Sequence, residues 1–317
     1  MRNISIIVTV VTSNEAIVRD CLETLYQHNR NLGYSLQVRL VWNAPGRGGP
    51  GLPAALAQAY PQVIMQESTT SGFEYNQNLI LKDASADYLL IINDDLVFKD
   101  GSISKAISYL EKPENQGVGI AGIRLLNPDG SLQPSTYSFP GLMRAVLAIS
   151  DLRSLLPLSP RLFPLAKELG LGGGRSRYWD HDKTCEVDMF RGSYMLVRGA
   201  AFRDVGLFDE SGGQETEWIY RFHRCGWKVV FLHEPEIIHL GSATVSKDPG
   251  RMLISPKTFL TFFQRHKGPL EYWLLRAWCL VFYRLTYYRA RLANDLNHAA
   301  LAEQAFQFAR QGAKPTR

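Results

Sequence analysis

The chain has 317 residues, of which 45% are hydrophobic, 21% charged and 11% aromatic. That balance excludes intrinsic disorder and collagen-like repeats and suits one large domain or two ordinary ones. The 35 Lys and Arg against 30 Asp and Glu leave a net charge of +5, compatible with phosphate-bearing ligands or an anionic membrane face but too weak for a nucleic-acid partner.

In chain order, ISIIVTVV (4–11) is rich in β-branched residues and reads as a buried strand rather than a leader peptide. Val18 to Tyr26 reads as a helix with Val18, Cys21, Leu22 and Leu25 on one face. Strands at 36–42 and 63–67 flank a helical stretch at 52–60, and a helix at 76–84 precedes the buried run 87–93. Strands separated by helices imply right-handed crossovers and a parallel sheet. VGIAGIRLL (118–126) is a further strand ending in the turn NPDG (127–130). Residues 140–183 are rich in Pro and Gly, with LGLGGGRS at 169–176, and are expected to form a mobile insertion that orders over bound ligand. A strand at 195–197, a helix at 215–227 and a strand at 228–232 follow, and the chain reads as helical from about 255. The cysteines, Cys21, Cys185, Cys225 and Cys279, lie far apart, without metal-ligand spacing or a disulfide framework, so a reducing, cytoplasmic setting is expected.

Several segments carry candidate chemistry. GRGGPG (46–51) fits G-x-G-x-x-G and precedes a helical stretch, so a nicotinamide-dependent oxidoreductase has to be weighed. Asn43, Ala44 and Pro45 separate it from the strand and Pro50 removes an N–H from the loop, which favours a plain turn. HEPEIIH (233–239) holds two histidines. Pro235 argues against a helix there, and an extended chain sets His233 about 20 Å from His239, so at most one is a ligand. Asn93-Asp94-Asp95 follows the buried run Leu89 to Ile92, where a parallel sheet opens its ligand crevice. Adjacent carboxylates there suit a hard cation that clamps phosphates, and a turn with Asp as helix cap is the alternative. Gly212-Gly213 precedes Gln214-Glu215-Thr216-Glu217 at a helix start. Glu215 and Glu217 cannot share one helix face, and either serves the helix dipole equally well.

Six segments then line up in order: VTVVTSNE (8–15), GFEYNQN (72–78), NDD (93–95), VDMFRGSYMLVRGAAFRDVGLFDE (187–210), QETEWIYRFHRCGW (214–227) and HLGSAT (239–244). Together they resemble the family-2 glycosyltransferases, within them the rhamnosyltransferase-like branch, over about residues 4–245. The resemblance implies an α/β, Rossmann-like GT-A fold: a mixed, mainly parallel sheet flanked by helices. The catalytic domain would cover residues 1–250, its nucleotide-binding half ending near 100, with a C-terminal helical extension over 251–317. It implies an inverting transfer from a nucleoside diphosphate sugar (UDP, dTDP or GDP) to a glycan or polyprenyl-diphosphate-linked acceptor in polysaccharide assembly.

The same resemblance distributes roles. Asp95, the last residue of the D-x-D or N-x-D motif, holds Mn²⁺ or Mg²⁺, with His239 completing the metal or diphosphate environment. Thr12, Asn14, Glu15, Asn43, Gly72, Asn78 and Asp94 face the donor. Asp188, Gly192, Gln214, Glu217 and Trp218 face the sugar or acceptor, and Glu215 is the catalytic base. The chain departs from the family pattern at Asn43, where an Asp is usual, at Gln214-Glu215 in place of Glu-Asp, and in a shorter loop from Glu210 to Gln214.

The stretch 270–292 carries Glu271, Arg276 and Arg284, and no run reaches the roughly 18 apolar residues of a membrane span. On a helix Arg276, Arg284 and Arg291 fall within about 80°. Such a helix either lies in a membrane interface on the cytoplasmic face, Arg toward phosphates and aromatics toward acyl chains, or packs on the catalytic domain or a homodimer partner. A catalytically inactive sugar- or nucleotide-binding homologue is the remaining alternative.

Overall fold

Strand β1 (Ile4–Thr12) has parallel neighbours on both sides, which is why it reads as an almost unbroken apolar run. In this computed structural model residues 4–29, 33–44, 51–150, 181–241 and 251–312 are described. The GRGGPG loop through residue 50, the 169–176 segment and residues 242–244 of the last matched motif lie outside them. The remaining strands are β2 (Tyr34–Asn43), β3 (Ile64–Ser68), β4 (Tyr88–Asn93), β5 (Leu96–Val97), β6 (Val118–Leu126), β7 (Leu132–Gln133), β8 (Thr136–Tyr137), β9 (Cys185–Glu186), β10 (Met189–Phe190), β11 (Tyr194–Arg198) and β12 (Lys228–His239). The helices are α1 (Glu15–His28), α2 (Ala54–Ala59), α3 (Phe73–Leu81), α4 (Ser104–Leu110), α5 (Leu142–Ile149), α6 (Gly199–Val205), α7 (Gln214–Arg224), α8 (Arg251–His266), α9 (Pro269–Leu292) and α10 (Leu296–Gln311). They divide into two compact units, the first from residues 1–137, 180–208 and 218–244, the second from 138–179, 209–217 and 245–317.

The first unit is the sheet. Its strand order is β3-β2-β1-β4-β11-β6-β12-β5. β3, β2, β1 and β4 run parallel. β11 enters antiparallel between β4 and β6, and β12 lies parallel to β6. The expected mixed, mainly parallel sheet flanked by helices is therefore present. Val8, Leu40, Leu90 and Leu196 of four successive strands are all fully buried, so the core runs across the sheet. Helix α1 begins at Glu15, earlier than apolar spacing alone predicts, because Asn14 Oδ1 accepts the Ile17 N–H at 3.2 Å and caps it. β12 runs past the expected end at residue 232. Leu232 pairs with Ile123 and Glu236 with Arg124, so His233, Glu234 and Pro235 bulge out. A bulge tolerates a proline that a regular ladder does not. The bulge's far side is tied down by Lys99, which pairs with Glu236, and by the Ser102 hydroxyl on the Glu236 carbonyl at 3.1 Å.

The second unit is helical. Ala299, Ala302, Ala305 and Ala309 form one buried face of α10, and α9 buries Leu275, Cys279 and Tyr283. The grouping of three arginines on one lipid-facing side does not hold. Arg276 donates to the carbonyls of Ala309 (2.8 Å) and Arg310 (2.5 Å). Arg284 pairs with Glu303 at 3.2 Å over the Phe306 ring. Both guanidiniums thus cap or clamp α10, a tertiary use that helical spacing cannot reveal. Trp278 likewise faces inward, its indole N–H donating to Ser150 Oγ at 2.8 Å. Among the described residues no helix is long and apolar enough to cross a membrane.

A candidate active site at the carboxyl end of β4

Register decides which side chains meet at the sheet edge. Val11 pairs with Asn93, so Thr12 and Asp94 leave their strands together, and Thr12 Oγ1 donates to Asp94 Oδ2 at 2.6 Å. The same hydroxyl accepts the Asn14 N–H at 3.0 Å, while Glu15 pairs along α1 with Arg19 at 2.6 Å. Thr12, Asn14 and Asp94 are therefore one connected group, and Glu15 opens the adjoining helix.

β5 then brings the far end of the sheet back. His239 of β12 pairs with Leu96, and the Leu240 N–H donates to the Asp95 carbonyl at 3.0 Å. The His239 Nε2 lies 3.3 Å from Asp95 Oδ1. Although close, the two are not aligned as a hydrogen bond: Asp95 Oδ1 is buried with no donor to it among the described residues. Around the imidazole, Ser193 Oγ is 3.2 Å and Asn93 Nδ2 3.5 Å from Nε2, and Gln133 Oε1 is 2.5 Å from Nδ1. Ser193 and Gln133 were not found from the sequence, since both reach the site through non-local pairings with no local motif. His233, by contrast, is occupied elsewhere, Nδ1 donating to the His181 carbonyl at 2.7 Å.

A bare carboxylate oxygen beside an imidazole nitrogen, both buried, fits a divalent cation. Among the described residues no cluster of three or more His, Cys, Asp or Glu is placed to hold a metal by itself. A cation here would take the rest of its ligands from phosphate oxygens and water, as Mg²⁺-type sites commonly do.

The other sequence-derived residues divide by environment. Asn43 donates to the carbonyls of Ser68 (3.3 Å) and Thr70 (2.9 Å), bracing the segment before α3. Gly72, with φ of +124°, turns the chain into α3 where a side chain is disfavoured. Asn78 is bonded both ways to the Phe208 backbone at 3.0 Å. Asp188 takes the His223 ring on its carbonyl at 2.8 Å, and Gly192 stands between β10 and β11, next to Ser193. Trp218 is fully buried, stacked on Phe208 at 4.1 Å and donating to the Gly206 carbonyl at 2.8 Å.

The start of α7 belongs to the second unit. Gln214 adopts φ of +47°, a strained conformation for a side-chain-bearing residue, and such strain gathers at functional sites. A Cβ on Gly213 would stand 2.3 Å from Glu217 Cβ, so this turn accepts only glycine. Glu217 is buried and pairs with His266 at 2.9 Å, and Asp209 pairs with Arg265 at 3.1 Å. Glu215, half-buried, thus stands on a turn held at both ends.

Burial pushes the Asp94 carboxyl up to about 6; the Thr12 hydrogen bond opposes this and the Asp95 charge adds to it. Because its folded value lies above the ordinary 3.8, the stability tied to protonated Asp94 is full below about 3.8 and is lost as pH rises through about 6. In metal-free protein, Asp94→Asn is expected to raise the Tm at pH 7.5, by up to about 3 kcal/mol of stability, and to change little at pH 4. A gain of equal size at both pH values would refute this origin.

Comparison with known proteins bears on the family and the fold. The family model described as Glycosyl transferase family 2 matches residues 5–137. N-acetylglucosaminyl-diphospho-decaprenol L-rhamnosyltransferases of two Mycobacterium tuberculosis strains are 26% identical over 247 residues, covering 71% of this chain and 76% of theirs. In fold, the mannosyltransferase PcManGT from Pyrobaculum calidifontis, solved with GDP-Man and Mn²⁺, matches over 99% of this chain and 77% of its own (TM-score 0.52, 13% identity). GalNAc-T7, solved with UDP, GalNAc and Mn²⁺, matches over 98% of this chain, which spans 57% of its length (TM-score 0.54, 12% identity). These findings favour neither the nicotinamide-dependent oxidoreductase nor the inactive homologue. With the family match over residues 5–137 and the fold in agreement, the chain has the GT-A fold and is similar to the family-2 glycosyltransferases, rhamnosyltransferase-like in sequence.

Proposed function

We propose that the protein is an inverting, divalent-cation-dependent transferase that moves a hexosyl or rhamnosyl group from a nucleoside diphosphate sugar to a glycan or polyprenyl-diphosphate-linked acceptor. The observation that carries this reading is the bare, buried Asp95 oxygen facing His239. The acceptor named for the mycobacterial relatives, and the GDP-Man, UDP and Mn²⁺ of the structural neighbours, support it. On this reading residues 1–250 carry the chemistry and residues 251–317 form a helical extension.

Asp95 and His239 would hold the cation. Mn²⁺ or Mg²⁺ bound there supplies positive charge against that growing on the leaving diphosphate. Asp94, fixed by Thr12, is poised as an acceptor for ribose hydroxyls, and Asn43 and Gly72 shape the nucleotide side. Glu215 takes the acceptor hydroxyl's proton as its oxygen attacks the anomeric carbon opposite the diphosphate, so the configuration inverts.

The second unit supports a lipid-surface location. Leu270, Leu274, Val281, Leu285, Tyr288 and Leu292 of α9 are each at least half exposed. On a helix they fall within a band of about 60° running some 33 Å. Residues 272–294 contain no Asp or Glu, and Arg289 and Arg291 are exposed beside the stripe. Charge complementarity therefore favours an anionic membrane interface over a second copy of the same basic helix.

Three outcomes are expected. Asp95→Ala should abolish the Mn²⁺-dependent part of UDP, dTDP or GDP binding in calorimetric titration; retained stimulation would put the ion elsewhere. Glu215→Gln should lower kcat for transfer by about 10²–10⁴-fold with donor KM nearly unchanged; near-native turnover would remove Glu215 as the base. The full chain carrying Leu274→Glu and Leu285→Glu should lose co-flotation with phosphatidylglycerol vesicles while keeping slow hydrolysis of soluble donor. Native flotation would discard the stripe, and a wild-type dimer that the two changes dissociate would assign it to a second copy.

A further inference from the structure

Gln133, on the two-residue strand β7, has no part in the motifs, yet both ends of its amide are engaged at His239. Its Nε2 donates to the His239 backbone carbonyl at 3.3 Å and to Asn127 Oδ1 at 2.9 Å. A carbonyl oxygen only accepts, so the nitrogen end of the amide must point there, and the Oε1 end must face His239 Nδ1, 2.5 Å away. An amide oxygen also only accepts, so Nδ1 must carry the proton. On a neutral ring Nε2 is then an unprotonated acceptor, consistent with the Ser193 hydroxyl 3.2 Å and the Asn93 amide nitrogen 3.5 Å from it. The adjoining acceptor, Asp95 Oδ1 at 3.3 Å, has no donor among the described residues.

We propose that Gln133 is a positioning residue: by holding the Nδ1 proton of His239 it fixes the tautomer that leaves Nε2 unprotonated beside Asp95, so that both groups are preset to hold a divalent cation. The inference rests on the cation-dependent reading above and adds the element that orients its nitrogen ligand. Metal-binding imidazoles depend on such a partner at the second nitrogen, and its loss typically weakens metal binding by about 10–100-fold. Gln133 is placed for this by pairing with Leu125 of β6, the strand that also carries β12 and hence His239. Gly241, with φ of +67°, leaves room beside the amide, where a Cβ would stand 3.3 Å from Gln133 Nε2.

The test uses the full chain labelled with ¹⁵N-histidine, with His239 assigned among the seven histidines by subtraction of His239→Gln. Long-range ¹H–¹⁵N spectra of metal-free protein should show His239 protonated at Nδ1. Gln133→Leu, similar in size but without an acceptor, should release the Nδ1 proton and shift the tautomer toward Nε2–H. In Mn²⁺ titrations followed by electron paramagnetic resonance, with UDP, dTDP or GDP present, the Leu variant should bind about 10–100-fold more weakly. Gln133→Glu, which keeps an acceptor for Nδ1 while losing the amide's donor, should keep the Nδ1–H signature, a readout that a merely space-filling role would not move. A Leu variant with the native tautomer or native Mn²⁺ affinity overturns the inference while leaving the cation reading intact. A wild-type chain that binds no Mn²⁺ with any of the three nucleotides overturns both.

Discussion

Two adjacent carboxylates, Asp94 and Asp95, are buried at the end of β4, and the rest of the site is arranged around that cost. Water would solvate both charges far better than a protein interior, so each must be offset locally. Thr12 does this for Asp94 with a hydrogen bond of 2.6 Å, and even so burial leaves that carboxyl reluctant to ionise. Asp95 has no such donor on Oδ1 among the described residues. Leaving a buried acceptor unmet costs about 1–3 kcal/mol. The strand topology serves this pair: parallel β1 delivers Thr12, and antiparallel β5 closes onto β12 to deliver His239.

What the sequence made legible follows from where the determining interactions lie. Local apolar runs gave the strands of the first half, and β6 matched to the residue. The position of Asn93-Asp94-Asp95 after a buried run set them at the end of β4, where they stand, and strand ends in parallel sheets are where ligands commonly bind. The two-residue strands β5 and β7 carry no periodicity at all, and they are the elements that bring His239 and Gln133 to the carboxylates. Helices α4 and α6, of seven residues each, were likewise too short for an apolar stripe to declare itself. The arginines of α9 failed for a different reason. Helical spacing places Arg276 and Arg284 on one side, but only the packing of α10 decides that this side faces protein.

The pair Glu215 and Glu217 shows how one helix start separates two roles. With alternate positions on different faces, Glu217 turns inward to His266 while Glu215 stays half-buried. The inner ion pair, together with Asp209–Arg265, anchors a turn whose backbone is held in an unfavoured conformation at Gln214. Strain of this kind persists only where surrounding contacts over-determine it. Residues 251–317 therefore bear on the placement of Glu215 through α8, whatever surface α9 meets.

The bulge in β12 has an arithmetic of its own. Val230 and Leu232 lie in the main hydrophobic core, and beyond the three extra residues so does Ile237. Strand faces alternate with a period of two, so an odd insertion exchanges inside and outside for everything downstream. His239 shares parity with Ile237, and without the bulge it would share the face of Val229 and Phe231. What holds the imidazole on its face is the register: the ladder resumes with Glu236 opposite Arg124, and residues paired across a ladder share a face.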